Sequence, residues 1–350
     1  MKKKQKLPKA YTHALSIFMI ILITLNATAI ISYFTTPELT QRFYFSINIA
    51  NLTLSIIILI LHILVFKQKS IIQGLTLSKI PNRNAVITNS FKKSLEGNQF
   101  SIAYQPIIDL TSGNIVELEP LLRWHHPTLG SISPNEFIPL AEKSGFILPL
   151  GNWMIKEACH QLSCWKNEGY NIKLSINISA LQLHFSIIKD FKKILQKNKI
   201  DPSDITLEIT ESVLLDNTDK AKHLLKELKF LGVKLAMDDF GVAYSSFSYL
   251  KQFSFDKIKI DKHFIENLGQ DNDHEILLAS IIEMAKKLDL VTVAEGVETR
   301  AQIYILQKYH CDQIQGFFFS PPLKASELSI LLNSQPNLWK LISPTPPSPP

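Results

Sequence analysis

Lys234-Leu-Ala-Met-Asp-Asp-Phe-Gly-Val-Ala-Tyr-Ser-Ser246, KLAMDDFGVAYSS, ends a short apolar run in two adjacent aspartates. Such a run reads as a buried strand, and carboxylates are rarely buried without a partner. A turn before Gly241, or a cap for a following helix, accounts for one aspartate. The pair needs another reason.

Working outward, short apolar runs alternate with amphipathic segments over residues 84–342. Strands are expected at 101–110, 114–124, 172–179, 204–210, 233–238, 255–261, 290–295 and 311–315. Helices are expected at 135–144, 152–168, 187–198, 219–231, 274–288 and 300–309. Thr111-Ser112-Gly113 joins the first two strands as a hairpin turn, so that pair is antiparallel. The later strands are each followed by a helix, which demands a parallel sheet. The expected fold is α/β, a (β/α)₈ TIM-like barrel with an antiparallel first strand.

The Asp pair then joins a pattern. Glu119, Asn177, Glu208, Asp238 with Asp239, Lys259 with Asp261, Glu295 and Gln315 all fall near strand ends. A barrel gathers those ends on one face, where active sites sit. Chance would scatter such groups over both ends of the strands. The set is oxygen-rich and needs no Cys or His, which suits Mg²⁺ or Mn²⁺ rather than zinc. So many carboxylates cannot stay ionised together without cations between them. An adjacent Asp pair can hold two ions with one carboxylate bridging, an arrangement recurrent in phosphodiester hydrolysis.

The N-terminal region is of a different kind. Residues 14–34 and 44–66 are apolar stretches of 21 and 23 residues without a charge, each long enough to span a bilayer as a helix. Lys2, Lys3, Lys4, Lys6 and Lys9 precede the first, while Lys67, Lys69, Lys79 and Arg83 follow the second. The positive-inside rule therefore places both termini in the cytoplasm. Ala27-Thr28-Ala29 resembles a signal-peptide cleavage site, but the apolar run continues to Phe34, which favours an uncleaved anchor. Residues 1–66 are thus expected to form a two-helix membrane hairpin, residues 67–83 a juxtamembrane linker, and the proline-rich residues 343–350 a disordered tail. The net charge is +6, of which residues 1–83 carry +9, leaving −3 for the remainder. A basic footprint for duplex nucleic acid is absent from that remainder. Cys159, Cys164 and Cys311 show no zinc-type spacing, as expected in a reducing compartment.

These residues resemble the EAL-domain cyclic di-GMP phosphodiesterases of bacteria over roughly Gln105 to Leu323. YQPIIDL, ELEPLLRWHHPTLGSISPNEFIPLAEKSG, LSINIS, LEITES, MDDFG, KIKIDKHF, VAEGVE and QGFFFSPPL occur in that order. The resemblance implies hydrolysis of cyclic di-GMP to linear pGpG by a metal-activated water, lowering a second messenger of motility and biofilm formation. It implies Glu119, Asn177, Glu208 and Asp238 as metal ligands, with Asp239 sharing a second ion with Asp238. Lys259 and Glu295 match the groups that orient and deprotonate the water, and either could be the base. Gln105 and Arg123 match substrate contacts, Arg123 offering a planar fork to phosphate. Gln315 lies near the same water, and Glu211 matches an anchor of the loop after DDFG that is not itself catalytic. Implied partners are cyclic di-GMP, the bacterial inner membrane and a second copy joined through the EAL domain.

Other residues take structural readings: His125 and His126 as polar groups of a loop, Trp153 and Trp165 as packing on the barrel. Phe317–Phe319 could stack a guanine or simply leave the core, and Asp261 could cap KHFIENL. Two departures stand out. Pro120 replaces the family's usual Ala and removes a backbone donor, which is expected to be tolerated near a strand end. Val242-Ala243 replaces Thr-Gly, and a positive φ at Ala243 would cost about 1 kcal/mol. The rival to an enzyme is a catalytically silent cyclic di-GMP receptor, which loss of a ligand residue would favour; none is lost.

Overall fold

The computed structural model describes residues 83–333, apart from 184–185, 211–217, 242–249, 251–252 and 270–271. The chain divides into Met1–Pro81 and Asn82–Pro350, and every described residue belongs to the second unit. The expected spans at 14–34 and 44–66, the linker up to residue 82 and the tail at 343–350 lie outside the described residues. Among the described residues no helix is long and apolar enough to cross a membrane.

Among the described residues nine strands form one sheet: β1 (Phe100–Asp109), β2 (Ile115–His126), β3 (Gly130–Ile132), β4 (Lys173–Asn177), β5 (Ile205–Thr210), β6 (Lys234–Phe240), β7 (Lys257–Ile260), β8 (Val291–Ala294) and β9 (Gln313–Ile314). The order runs β1-β9-β8-β7-β6-β5-β4-β2, and pairing of β1 with β2 closes an eight-stranded barrel. The small β3 hangs on the far end of β2 as a hairpin. β1 is antiparallel to both neighbours and the remaining barrel pairs are parallel, as the TSG turn and the βα alternation require.

Helices α1 (Arg83–Glu96), α2 (Pro134–Ser144), α3 (Ile147–Asn167), α4 (Ser186–Asn198), α5 (Thr218–Leu231), α6 (Asn272–Lys287), α7 (Arg300–Lys308) and α8 (Ala325–Asn333) accompany the strands. The strands carry Ile and Leu outward beneath them. Ile205, Leu207 and Ile209 of β5, with Ile258 and Ile260 of β7, are wholly buried. Each such side chain contributes roughly 1.5–3 kcal/mol of burial.

Three elements correct the sequence reading. Helix α1 occupies residues for which no element was expected. Its Ile87 and Phe91, four apart, face inward, and Phe91 stacks on Trp124 and Phe146 with centroids 5.3 and 5.1 Å away. Leu95, four residues further, packs on the core as well, so the face is a short stripe of three apolar residues. Helix α3 starts at Ile147 rather than 152, because Gly151 lies inside it instead of before it. A Cβ there would meet the Gln182 amide at 2.1 Å, so this glycine serves a close approach and not a boundary. Helix α8 follows the last strand and is tied down where Trp165 Nε1 donates to Ser329 Oγ at 3.1 Å.

Pro120 lies within β2 rather than near its end, opposite Tyr104. Both backbone groups of Tyr104 bond to Leu323, so they point away from β2 and the pair is of the non-hydrogen-bonded kind. The missing N–H of Pro120 therefore faces β4, whose pairing with β2 ends at Leu118. No ladder bond is lost.

Candidate active site

A strand with period two sends alternate residues into the barrel. This places Glu208 on β5 and Lys259 on β7 inside at the C-terminal ends of their strands, with Gln315 directly after β9, and it places Glu119 inside midway along the longer β2 rather than near its expected end. Lys259 is 2% exposed and is the hub of the group. Its Nζ lies 2.7 Å from Glu295, 2.8 Å from Glu208, 3.2 Å from Asp238 and 3.5 Å from Glu119. Both oxygens of Glu119 accept from amides at 2.6 Å, one from Asn177 Nδ2 and the other from Gln315 Nε2. Gln315 Nε2 also reaches Gln105 Oε1 at 3.2 Å, and Gln105 lies directly opposite Glu119 across β1 and β2. Glu295 and Gln315, expected inside strands, stand one residue past them.

The Asp pair has a structural cause that periodicity does not suggest. Between Met237 and Phe240 the register of β6 against β7 slips: three steps along β6 match two along β7. The extra residue is a β-bulge, a device that re-aims side chains beside active sites. Asp239 sits in it with φ +51°, in the left-handed region that costs a non-glycine residue of order 1 kcal/mol or more. Adjacent residues of a regular strand face opposite sides. Here Asp238, Asp239 and Glu295 instead offer carboxylate oxygens all within 4.8 Å of one another.

Burial alone would lower the pKa of Lys259. Asp238, Glu119, Glu208 and Glu295 outweigh it and hold the group well above a free lysine. Burial, then Glu119, pushes the Glu208 carboxyl well up against the pull of Lys259. Burial likewise lifts Glu295 to about 7, again opposed by Lys259. Desolvation and the neighbouring Asp238 raise Asp239. Burial is the largest cause for all three carboxyls, and the charge of neighbouring carboxylates adds to it.

A cleft of about 660 Å³ opens from this cluster and is lined in part by Arg123, Asn177, Glu208, Asp238 and Asp239. Burial lowers the Arg123 pKa, Glu119 opposing, and its Nη1 donates to the Leu122 carbonyl at 2.9 Å. Sequence reasoning missed three polar residues of the far wall, Asn135, Glu142 and Gln182. The first two lie inside the quoted segment SPNEFIPLAEKSG, where their polarity reads as the solvent face of α2. The wall is braced where Ser179 Oγ donates to Glu142 at 2.6 Å. Glu211, Val242 and Ala243 lie outside the described residues.

His125 and His126 end β2 rather than lying in a loop; His126 is buried and accepts from the turn that follows it, whereas His125 is exposed. Trp165 is fully buried against Tyr104. Asp261 caps the short 3₁₀ turn Lys262–Phe264 through His263 N at 2.8 Å, and its charge also bears on Asp239. Phe317 is 61% exposed beside the site, while Phe318 and Phe319 pack on the core.

The donor set fits a hard divalent cation. Glu208 Oε1 is buried without a hydrogen-bond partner, while the buried Asp238 Oδ1 faces Lys259 Nζ at 3.2 Å, and an unsatisfied buried acceptor costs about 1–3 kcal/mol, more when charged. A cation beside them relieves that cost with the oxygen ligands Mg²⁺ and Mn²⁺ prefer.

An oxygen-lined, lysine-centred cluster at the C-terminal mouth of an α/β barrel stands where barrel enzymes carry their active sites. The EAL domain matches residues 88–322, and the chain belongs to that family. It is 37% identical over 244 residues to the bifunctional diguanylate cyclase/cyclic di-GMP phosphodiesterase MucR of Pseudomonas aeruginosa, covering 69% of this chain and 36% of that protein. It is 38% identical over 246 residues to the cyclic di-GMP phosphodiesterase NbdA of the same species, covering 69% of this chain and 31% of NbdA. The chain thus spans about a third of the length of these curated relatives. Among solved structures, the PaMucR phosphodiesterase in complex with c-di-GMP superposes with a TM-score of 0.66 at 37% identity, over 69% of this chain and 99% of that one. The EAL domain of Mycobacterium smegmatis DcpA gives 0.58 at 31%, over 68% and 98%.

Proposed function

We propose that this protein is a membrane-anchored phosphodiesterase that hydrolyses cyclic di-GMP to linear pGpG. The Lys259 ammonium among Glu119, Glu208, Asp238 and Glu295, beside a cleft of 660 Å³, carries that reading. Such a volume falls in the range of about 300–1,000 Å³ usual for ligand clefts. The names of MucR and NbdA, and the c-di-GMP bound in the MucR structure, point to the same substrate.

Glu119, Asn177, Glu208 and Asp238 would hold one Mg²⁺ or Mn²⁺, and Asp238 with Asp239 a second. Bound there, the ions acidify water and offset charge on the phosphoryl oxygens. Arg123 presents its fork to a phosphate, and Gln105 orders the substrate at the β1 wall. Ringed by four carboxylates, Lys259 stays protonated and orients the attacking water rather than taking its proton. That leaves Glu295, whose raised carboxyl matches a base working near neutral pH. Gln315 fixes Glu119 beside it, and Glu211 serves as anchor of the loop after Gly241.

Residues 14–34 and 44–66 with their basic flanks support an anchor in the bacterial inner membrane, with the EAL domain, paired with a second copy, in the cytoplasm. The test is to incubate the purified full-length chain with cyclic di-GMP and Mg²⁺ or Mn²⁺, and to separate the products by chromatography. Linear pGpG that disappears with a chelator is the expected result. Tight binding without product would make the protein a receptor instead.

A further inference from the structure

Beneath the Lys259 layer lies a second polar layer. Two residues earlier on the same four strands, at the same interior phase, stand Glu117 on β2, Thr206 on β5, Lys257 on β7 and Gln313 on β9. β2 and β7 face each other across the barrel, as do β5 and β9. Glu117 is 1% exposed and forms an ion pair with Lys257 across the interior. Its other oxygen accepts from Thr206 Oγ1 at 2.6 Å, and Lys257 also donates to Gln313 Oε1 at 3.3 Å. All four strands are bound together by side chains at that level.

Stability does not explain this layer. Glu117 is buried, Lys257 and Gln313 are partly so, and with Thr206 they line a cleft of about 520 Å³ at the N-terminal mouth of the barrel, where an ion pair seldom outperforms well-packed apolar residues. It does define a position. Two residues of strand span about 6.6 Å, over which a strand is stiff, so register and tilt at the lower level are transmitted to the upper. The upper level needs such control, since productive sites hold their groups to within about 0.5 Å.

We propose that the Glu117–Thr206–Lys257–Gln313 layer is a positioning layer that sets the placement of Glu119, Glu208 and Lys259, and so the affinity of the site for its divalent cation. This rests on the metal-dependent reading above. The test is therefore read first as Mn²⁺ binding, which needs no turnover, by the electron paramagnetic resonance of free Mn²⁺ over the full-length chain. Glu117→Leu with Lys257→Met removes both charges together and refills the space with apolar groups. That double variant is expected to keep its thermal midpoint within a few degrees and to bind Mn²⁺ about tenfold more weakly. Glu117→Gln, which can still accept from Thr206 and Lys257, is expected to retain most of the affinity. In the hydrolysis assay the double variant should lose kcat while KM for cyclic di-GMP changes little. A folded double variant that binds Mn²⁺ within about twofold of wild type overturns the positioning role, as does Glu117→Gln losing as much as the double variant. Should the double variant not fold, Thr206→Val removes the 2.6 Å bond alone, and unchanged Mn²⁺ affinity there overturns the proposal. Failure of the wild type to hydrolyse cyclic di-GMP would sink the phosphodiesterase reading and leave the Mn²⁺ comparison standing.

Discussion

Lys259 and its four carboxylates make the residue-scale case. Asp238→Asn or Glu119→Ala takes charge from the cluster that would hold the cations and is expected to abolish hydrolysis; near-normal turnover in either would remove these residues from the metal site. Lys259→Ala should act differently, sparing substrate affinity and lowering kcat by about a hundredfold or more, since its partner is the reacting water. His126 offers a test remote from the chemistry. Its Nδ1 accepts from the backbone of Thr128 and Leu129, so the proton is on Nε2, which donates to Ser90 Oγ at 3.1 Å. Burial, then the charge of Arg83, lowers its pKa. The unfolded chain therefore binds this proton more readily than the folded one. Stability from His126 is full above the unfolded value of about 6.5 and is lost as pH falls from there through the folded pKa. Denaturant titrations at about pH 7.5 and 5.5 should show a smaller acid loss in His126→Gln than in wild type. Equal losses would mean that His126 does not titrate in this way.

At the scale of elements the bulge in β6 matters most. It turns two neighbouring aspartates to one mouth, and Gly241 lets the chain leave it: φ is +96°, and a Cβ would sit 2.4 Å from the Phe264 ring. Gly241→Ala is expected to cost about 1–3 kcal/mol and to lower turnover with it, by displacing the Asp pair. Pro120→Ala is the contrasting change, because it restores a donor where the ladder has already ended. Its effect should be confined to the entropy of the unfolded chain, a loss of no more than about 1 kcal/mol with turnover intact. Chemical denaturation of both variants checks the pair, and a Pro120→Ala variant with impaired turnover would show that the proline shapes the site.

For the whole molecule, the EAL barrel sits in a chain whose first 66 residues read as a membrane hairpin. The full-length protein is expected to sediment with membranes and to resist an alkaline wash, whereas release by that wash would show peripheral attachment. The barrel couples distant residues by topology alone: Gln315 and Glu119, 196 positions apart, share a 2.6 Å hydrogen bond.

The barrel and most of its site were legible in the sequence because both rest on local signals. Apolar runs in alternation with amphipathic helices demand a parallel sheet, and its closure brings the strand ends together whatever their separation. Glu208, Lys259 and Glu295 could be named from position relative to a strand end, whereas Glu119 stands in the middle of β2, which runs on to His126. Helix α1 and the interior Gly151 were not legible, since their reasons are partners far along the chain, Trp124 for one and Gln182 for the other. Nor was the bulge, which is a relation between β6 and β7 and not a property of either. The lower polar layer is the same kind of fact. Glu117 and Lys257 each read as one of two like charges on alternate positions of a strand, Glu117 with Glu119 and Lys257 with Lys259, and only the closed barrel, with β2 facing β7, makes them a pair.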